Sequence, residues 1–193
     1  MNREKIINYF ENSFIKELLA DEEITDISYN GEDIFYLHNH NGRQIYFHNE
    51  SRDSIKDFVR QLANLSERQF SYTSPVLDIS FGKYRFTATH PCIGKLNNED
   101  VITFSIRIAS KHIHIKKNGD FFPIEVGELI DVLINSKLSI VIGGITGSGK
   151  TEFQKYLLSR MMENTRVIVI DNILELDMNS NNNQIDLNIW QAD

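Results

Sequence analysis

A glycine-rich stretch that ends in lysine and threonine is the part of the sequence best suited to chemistry. It reads GGITGSGKTE over residues 143–152 and contains the pattern Gly144-x4-Gly149-Lys150-Thr151. Glycines at these positions let successive backbone N–H groups point at one anion, and a helix that begins there adds the positive end of its dipole. A lysine ammonium and a threonine hydroxyl then suit the phosphates of a nucleotide and its Mg²⁺.

We therefore interpret this stretch as a P-loop that binds Mg-ATP. The alternative is a glycine-rich strand-to-helix turn that holds no ligand. The complete pattern, with an apolar run before it and helical periodicity after it, favours the phosphate site. The predicted nucleotide-binding residues are Gly144, Thr146, Gly147, Ser148, Gly149, Lys150, Thr151 and Glu152, and Thr151 is also the predicted Mg²⁺ ligand.

Apolar runs on both sides of the loop predict the elements that would position it. The run LSIVI at residues 138–142 predicts a buried strand that leads into the loop, and a helix is expected from about Lys150. RVIVID at residues 166–171 predicts a second buried strand, so the three elements together predict a βαβ unit of a parallel sheet. QIDLNIW at residues 184–190 predicts a further strand.

A helix is predicted to precede this unit. Pro123 suits a first helical turn, and the pattern continues to about Ser136. The apolar residues expected to face inward are Ile124, Leu129, Val132 and Leu133. Residues 123–193 are therefore predicted to form an α/β unit.

Residues 1–109 show a different pattern, which predicts an α+β domain with a mostly antiparallel sheet. Helical periodicity covers residues 4–19 and 51–65, and strand-like runs cover residues 76–80, 84–89 and 101–108. Between the two helices, Asn-Gly pairs at residues 30–31 and 41–42 separate three short strands, because such pairs favour tight hairpin turns. The polar, basic segment 110–122 is the predicted linker.

Composition restricts the classes of protein to consider. The chain has 193 residues, of which 41% are hydrophobic and 24% charged, and its net charge is −7. That charge argues against sequence-specific nucleic-acid binding, which needs a basic surface. The single cysteine, Cys92, and the lack of a signal peptide or a long apolar run predict a cytoplasmic protein. The basic run at residues 111–117 is expected to be a solvated part of the linker.

Four stretches together resemble the secretion-superfamily traffic ATPases, the hexameric motors of type IV secretion, type II secretion, conjugation and pilus assembly. LLADEEITDISYNGEDIFYL is similar to the N-terminal opening of that family, and SYTSPVLDISFGKYRFTATHP and ITFSIR are similar to two later regions of its N-terminal domain. The fourth stretch runs from VIGGITGSGKT to VIVIDNILEL and resembles the family's P-loop and its acidic box. The resemblance covers nearly the whole chain in the correct order.

The resemblance implies a small N-terminal domain followed by a RecA-like ATPase domain, with ATP between them. It implies a homohexamer that works with membrane-embedded secretion or pilus components at the inner face of the cytoplasmic membrane. Arg85 and Arg107 fall where the family has arginines near the phosphates, and a guanidinium can hold phosphate oxygens bidentately. The alternative is that both arginines form solvated pairs on a strand surface. Asp171 and Glu175 fall in the acidic box and are the candidate catalytic acids.

Two departures from the family leave the activity open. The family has Glu-Asp where this chain has Asp171-Asn172, and it continues through a second acidic strand and a histidine box. Residues 123–193 are therefore predicted to be a partial RecA-like domain. Two hypotheses follow: an ATP-binding subunit, or part of one, in a traffic ATPase, or a shortened partner in such a ring that does not hydrolyse ATP. An unrelated P-loop kinase is a weaker third hypothesis.

Histidine pairs also suggest a metal site. His38 and His40 lie two residues apart, as do His112 and His114, so each pair could share one face of a strand. Two ligands do not close a metal site, and no cysteine pair accompanies them. This hypothesis is therefore the weaker interpretation of the histidines.

Overall fold

The computed structural model describes residues 3–110, 115, 121–145, 147–171, 176 and 185–191. These residues fall into two compact units, Met1–Ser110 and Lys111–Asp193. Among the helices described, none is long and apolar enough to cross a membrane.

The N-terminal unit is a six-stranded antiparallel sheet with three helices, which confirms the α+β prediction for this region. The strands of the sheet are β1 Ile24–Tyr29, β2 Ile34–His38, β3 Gly42–Tyr46, β4 Val76–Phe81, β5 Tyr84–Thr89 and β8 Thr103–Ile108. Their order across the sheet is β3-β2-β1-β8-β5-β4. Two short strands, β6 Lys95–Leu96 and β7 Glu99–Asp100, form a separate hairpin.

The helices of this unit are α1 Arg3–Glu11, α2 Lys16–Ala20 and α3 Arg52–Leu65. The single helix predicted over residues 4–19 is therefore wrong, because the chain breaks between α1 and α2. At the break, the Asn12 side chain donates to the backbone oxygen of Asn8 at 2.8 Å, and polar side chains that bond the backbone locally compete with helix continuation. α3 begins as predicted, with the Ser51 hydroxyl accepting a hydrogen bond from Ser54 N.

The hydrophobic core of the N-terminal unit lies between the helices and one face of the sheet. Strand residues alternate strictly, so that β5 and β8 place Tyr84, Phe86, Phe104 and Ile106 inward. Phe10 of α1 is fully buried and contacts the rings of Phe58, Phe81, Tyr84 and Phe86. The opposite face of the sheet carries the alternate residues, which are polar or partly exposed.

The C-terminal unit contains α4 Ile124–Asn135, α5 Lys150–Ser159, β9 Arg166–Asp171 and β10 Asp186–Gln191. β9 and β10 pair in parallel, with Val167 opposite Leu187 and Val169 opposite Ile189. Its small core joins Ile130 and Ile134 of α4 to Tyr156 and Leu157 of α5.

The strand predicted at residues 138–142 does not form. A β-strand requires a neighbour to satisfy its backbone groups, and among the described residues β9 pairs with β10 instead. Val141 is 95% exposed. The predicted parallel pairing is therefore present, but between the two strands that follow the P-loop.

The predicted inward face of α4 is also wrong. Ile124, Leu129 and Val132 are each more than half exposed, whereas Gly127, Ile130 and Ile134 are buried. Leu133 is half-buried. This helix carries apolar residues on several sides, so its periodicity does not select one face, and packing against α5 decides which side is covered.

Candidate functional site

The predicted P-loop occupies the turn that leads directly into α5. Gly149 is the N-cap of this helix with φ +84°, and no side chain caps the helix. Gly147 also has a positive φ, +79°. These left-handed conformations are the reason the turn needs glycine, since other residues adopt them at a cost. The uncapped amides at the start of α5 are thus available to an anion.

The space around the loop differs from one glycine to the next. A Cβ placed on Gly143 or Gly147 would meet no atom of the described residues within 4 Å. A Cβ on Gly144 would lie 2.5 Å from Ser148 Oγ, so the loop is closely packed at that point. The loop is thus closely packed at Gly144 and open at Gly143 and Gly147, and the open positions suit the approach of a phosphate to the backbone.

Lys150 folds back over the same loop. Its Nζ donates to the carbonyl oxygens of Gly144 at 3.0 Å and Ile145 at 2.8 Å. An ammonium has three N–H donors, so these two bonds leave one for an anion. The lysine charge is therefore held at the loop by the chain itself, where it can attract a phosphate.

The predicted loop residues stay together in one segment. Residues 144–145 and 147–152 form the turn and the first turn of α5, whereas Thr146 lies outside the described residues. Thr151 is the second residue of α5 and is half-buried. Glu152 Oε1 accepts a hydrogen bond from Lys155 Nζ at 2.6 Å, and Lys155 is only 3% exposed. Glu152 thus compensates a buried charge in α5.

An aromatic cluster supports the loop from outside. Phe121 lies against Gly149, with its ring carbons 3.5 Å and 3.6 Å from the position of a Cβ there. Phe121 stacks on Phe153 of α5, and Phe122 contacts both Phe153 and Tyr156 edge-to-face. The sequence interpretation placed Phe121 and Phe122 in the linker and missed this role. Two adjacent aromatic residues before Pro123 are the signal that indicates packing rather than linker.

Of the two candidate acids, Asp171 is the one among the described residues. Asp171 is the last residue of β9 and is half-buried. Side chains alternate along a strand, so Asp171 points to the same side as the buried Val167 and Val169. Glu175 lies outside the described residues.

Arg85 and Arg107 are cross-strand neighbours in the N-terminal unit. They lie directly opposite each other on β5 and β8, on the face of the sheet away from its core. Arg85 forms a two-point ion pair with Asp78, through Nε to Oδ1 at 3.1 Å and Nη2 to Oδ2 at 2.8 Å. These hydrogen bonds hold the pKa of the Asp78 carboxyl below its ordinary value. Arg85 therefore forms the surface ion pair that the alternative interpretation predicts.

A shallow cavity of about 460 Å³ opens on this face of the sheet. Its wall includes Arg43, Arg85 and Arg107 together with Phe35. Arg43 was not among the residues selected from the sequence, because nothing in its neighbourhood along the chain distinguishes it from other surface arginines.

The histidine pair at the turn between β2 and β3 lies beside carboxylates. His38 Nε2 is 3.8 Å from Asp21 Oδ2, and His40 Nε2 is 3.4 Å from Glu23 Oε2. Within the part of the chain that the structure describes, no group of three or more potential ligands is arranged to hold a metal ion. His112 and His114 lie outside the described residues.

Comparisons with known proteins relate the chain to a protein of similar sequence and to a solved structure. No protein-family profile matches the chain. An uncharacterized protein of Bacillus anthracis is 30% identical over 172 residues, which is 86% of this chain and 38% of that protein. The chain thus spans well under half the length of the curated relative it matches.

Among the matching solved structures is the VirB11 ATPase from the type IV secretion system of Brucella suis, solved in complex with sulphate. The match covers 92% of this chain and 62% of the neighbour, at 19% identity and a TM-score of 0.45. A likeness at this identity and score does not by itself assign a function to the chain.

Proposed function

We propose that this chain binds ATP with Mg²⁺ through residues 144–151, as an ATP-binding part of a hexameric traffic ATPase of the secretion, conjugation or pilus type. The observation that carries the proposal is the position of Lys150, whose ammonium is held at the P-loop by two loop carbonyls. The choice of ATPase class comes from the four stretches of sequence that resemble that family. Arg85 and Arg107 would serve the phosphates, and membrane-embedded components of the same machinery would be the partners.

The residues present suit a nucleotide polyphosphate. The uncapped start of α5 offers backbone N–H donors, and Lys150 retains one donor. Gly143 and Gly147 leave open space beside the backbone. Thr151, at the second position of α5, would supply the hydroxyl for Mg²⁺. Bound Mg²⁺ would neutralise charge on the phosphates.

The test is calorimetric titration of the chain with Mg-ATP, comparing wild type with Lys150→Ala. Loss of a cation that contacts phosphate should weaken affinity by about tenfold or more. The side chain is half-buried, and its hydrogen bonds within the described residues go only to loop carbonyls outside the core, so the thermal unfolding temperature should change little. Lys137→Ala is a matched control because it removes an exposed lysine outside the loop. Unchanged ATP affinity in folded Lys150→Ala would refute the proposal.

A second candidate function is a ring partner that binds ATP without hydrolysing it. The observation that favours it is Asn172 in the acidic box, where the resembled family has a second acid, since an amide cannot accept a proton from water. We expect residues 1–193 to bind ATP but to release phosphate at a rate near that of Lys150→Ala. Steady-state phosphate release measures this. Fast turnover that disappears in Lys150→Ala would establish the hydrolysing function instead.

A further inference from the structure

We propose that a groove between α1 and α3 of the N-terminal unit docks an arginine side chain presented by a segment of a partner protein. The α1–α3 groove is a shallow cavity of about 650 Å³, lined by Tyr9 and Phe14 and by side chains from residues 50–61. The inference goes beyond the proposed function, because it needs neither the P-loop nor a nucleotide.

Three aromatic side chains give the groove an apolar floor. Phe58 is only 5% exposed, and the Phe14 ring contacts it edge-to-face with 5.1 Å between the ring centres. The Tyr9 ring stacks on Phe58 at 5.8 Å, yet Tyr9 remains 36% exposed. Part of a tyrosine ring is therefore open to a ligand and supported by buried rings. A ring of this kind attracts a cation held over its face.

The rim of the groove adds negative charge. Glu50 and Asp57 line the groove, and of the other described residues that line it none is basic. The Glu50 carboxylate accepts a hydrogen bond from the neutral Ser54 hydroxyl. Asp57 lies 3.9 Å from Arg60 Nη1, a long separation between two side chains that are each more than half exposed. Such a pair contributes little, so both carboxylates can attract an added cation.

The Asp57 carboxylate and the Tyr9 ring act on the same part of the groove. Burial raises the pKa of the Tyr9 hydroxyl, and the negative charge of Asp57 raises this pKa further. A charge has this effect on a neighbouring group only when the two are close. A cation bound beside Tyr9 would therefore interact with the ring and with the carboxylate together.

This combination of groups fits arginine better than lysine. A guanidinium is planar, so it can stack on an aromatic ring while its edge donates to a carboxylate, whereas an ammonium is a strongly hydrated point charge. Ser54 and Gln61 also line the groove and offer polar groups to the backbone of a bound segment. Because tyrosine and arginine are frequent anchors of protein interfaces, a protein segment is the occupant that these groups favour.

The experiment titrates the full chain with the peptide acetyl-Ala-Arg-Ala-amide and follows amide and aromatic resonances by NMR. We expect the resonances of Tyr9, Phe14 and residues 50–61 to shift. The same peptide with neutral citrulline in place of arginine should bind about fivefold or more weakly. Tyr9→Leu removes the ring, and Asp57→Asn removes the charge at nearly constant shape. Each variant should raise the dissociation constant of the arginine peptide about two- to fivefold.

Glu32→Gln is the matched control, because it removes one negative charge from an exposed residue in the turn between β1 and β2. It should leave the affinity unchanged. The Asp57 side chain is 77% exposed, so Asp57→Asn tests the groove without disturbing the core. Equal affinity for the two peptides, wild-type affinity in Asp57→Asn, or an equal loss in Glu32→Gln would each overturn the inference. Shifts of the same resonances with protein concentration alone would also overturn it, since a second copy of the chain would then fill the groove.

Discussion

Replacing Gly147 by alanine isolates the contribution of loop conformation to the proposed nucleotide binding. Gly147 has φ +79°, and a methyl group there would meet no atom within 4 Å. The change therefore introduces no clash and removes no contact. Its cost is the left-handed backbone conformation, which is about 1–2 kcal/mol for a residue with a Cβ.

That cost translates directly into affinity if the observed loop conformation is the one that binds. Raising its free energy by about 1–2 kcal/mol lowers its population, and the apparent dissociation constant for Mg-ATP rises by about 5- to 30-fold. Gly147→Asn should lose less, because asparagine tolerates the left-handed region better than alanine. Global stability should change little, since the position is exposed and lies outside the core.

Gly143→Ala is the matched control. It also adds one methyl group with no atom within 4 Å, but its φ is not in the left-handed region. Calorimetric titration with Mg-ATP should give the wild-type affinity for Gly143→Ala and a loss for Gly147→Ala. Wild-type affinity in Gly147→Ala, or an equal loss in both variants, would show that this loop conformation is not what holds the nucleotide.

Three further predictions concern the N-terminal unit. Arg85→Ala should raise the pKa of Asp78, because the guanidinium hydrogen bonds that lower this pKa are removed. A pH titration of the Asp78 carboxyl carbon by NMR measures the change. An unchanged pKa would contradict the ion pair. Burial, together with nearby positive charges, lowers the pKa of His90, and His90 Nδ1 accepts a hydrogen bond from Cys92 N. The unfolded state therefore binds more protons than the folded state as the pH falls below about 6.5, the ordinary pKa of histidine, so the free energy of unfolding should decrease there. Urea unfolding measured across this pH range should show a weaker pH dependence in His90→Gln than in wild type. Phe10→Ala should cost about 3–5 kcal/mol of stability, because the fully buried ring contacts four others; a loss below about 1 kcal/mol in urea unfolding would contradict this packing.

The sequence by itself determined the features whose cause is local. Strict alternation in residues 84–89 predicts a strand with one buried face, and helical periodicity in residues 51–65 predicts α3 with its serine cap. The P-loop pattern locates the turn into α5, because only glycine readily takes the conformation found at Gly147 and Gly149. These elements depend on backbone preferences and on the period of apolar residues, which can be read from neighbouring residues.

Tertiary structure decided which elements pair and which faces meet. The run at residues 138–142 has the composition of a buried strand, but strand formation depends on a partner, and β9 pairs with β10. The apolar periodicity of α4 is compatible with more than one buried side, and contact with Tyr156 and Leu157 selects Ile130 and Ile134. Arg43, Arg85 and Arg107 line one cavity only because β8 lies between β1 and β5 in one register. Pairing between strands distant in the chain depends on the whole sheet, so no local pattern places Arg43 beside Arg85 and Arg107.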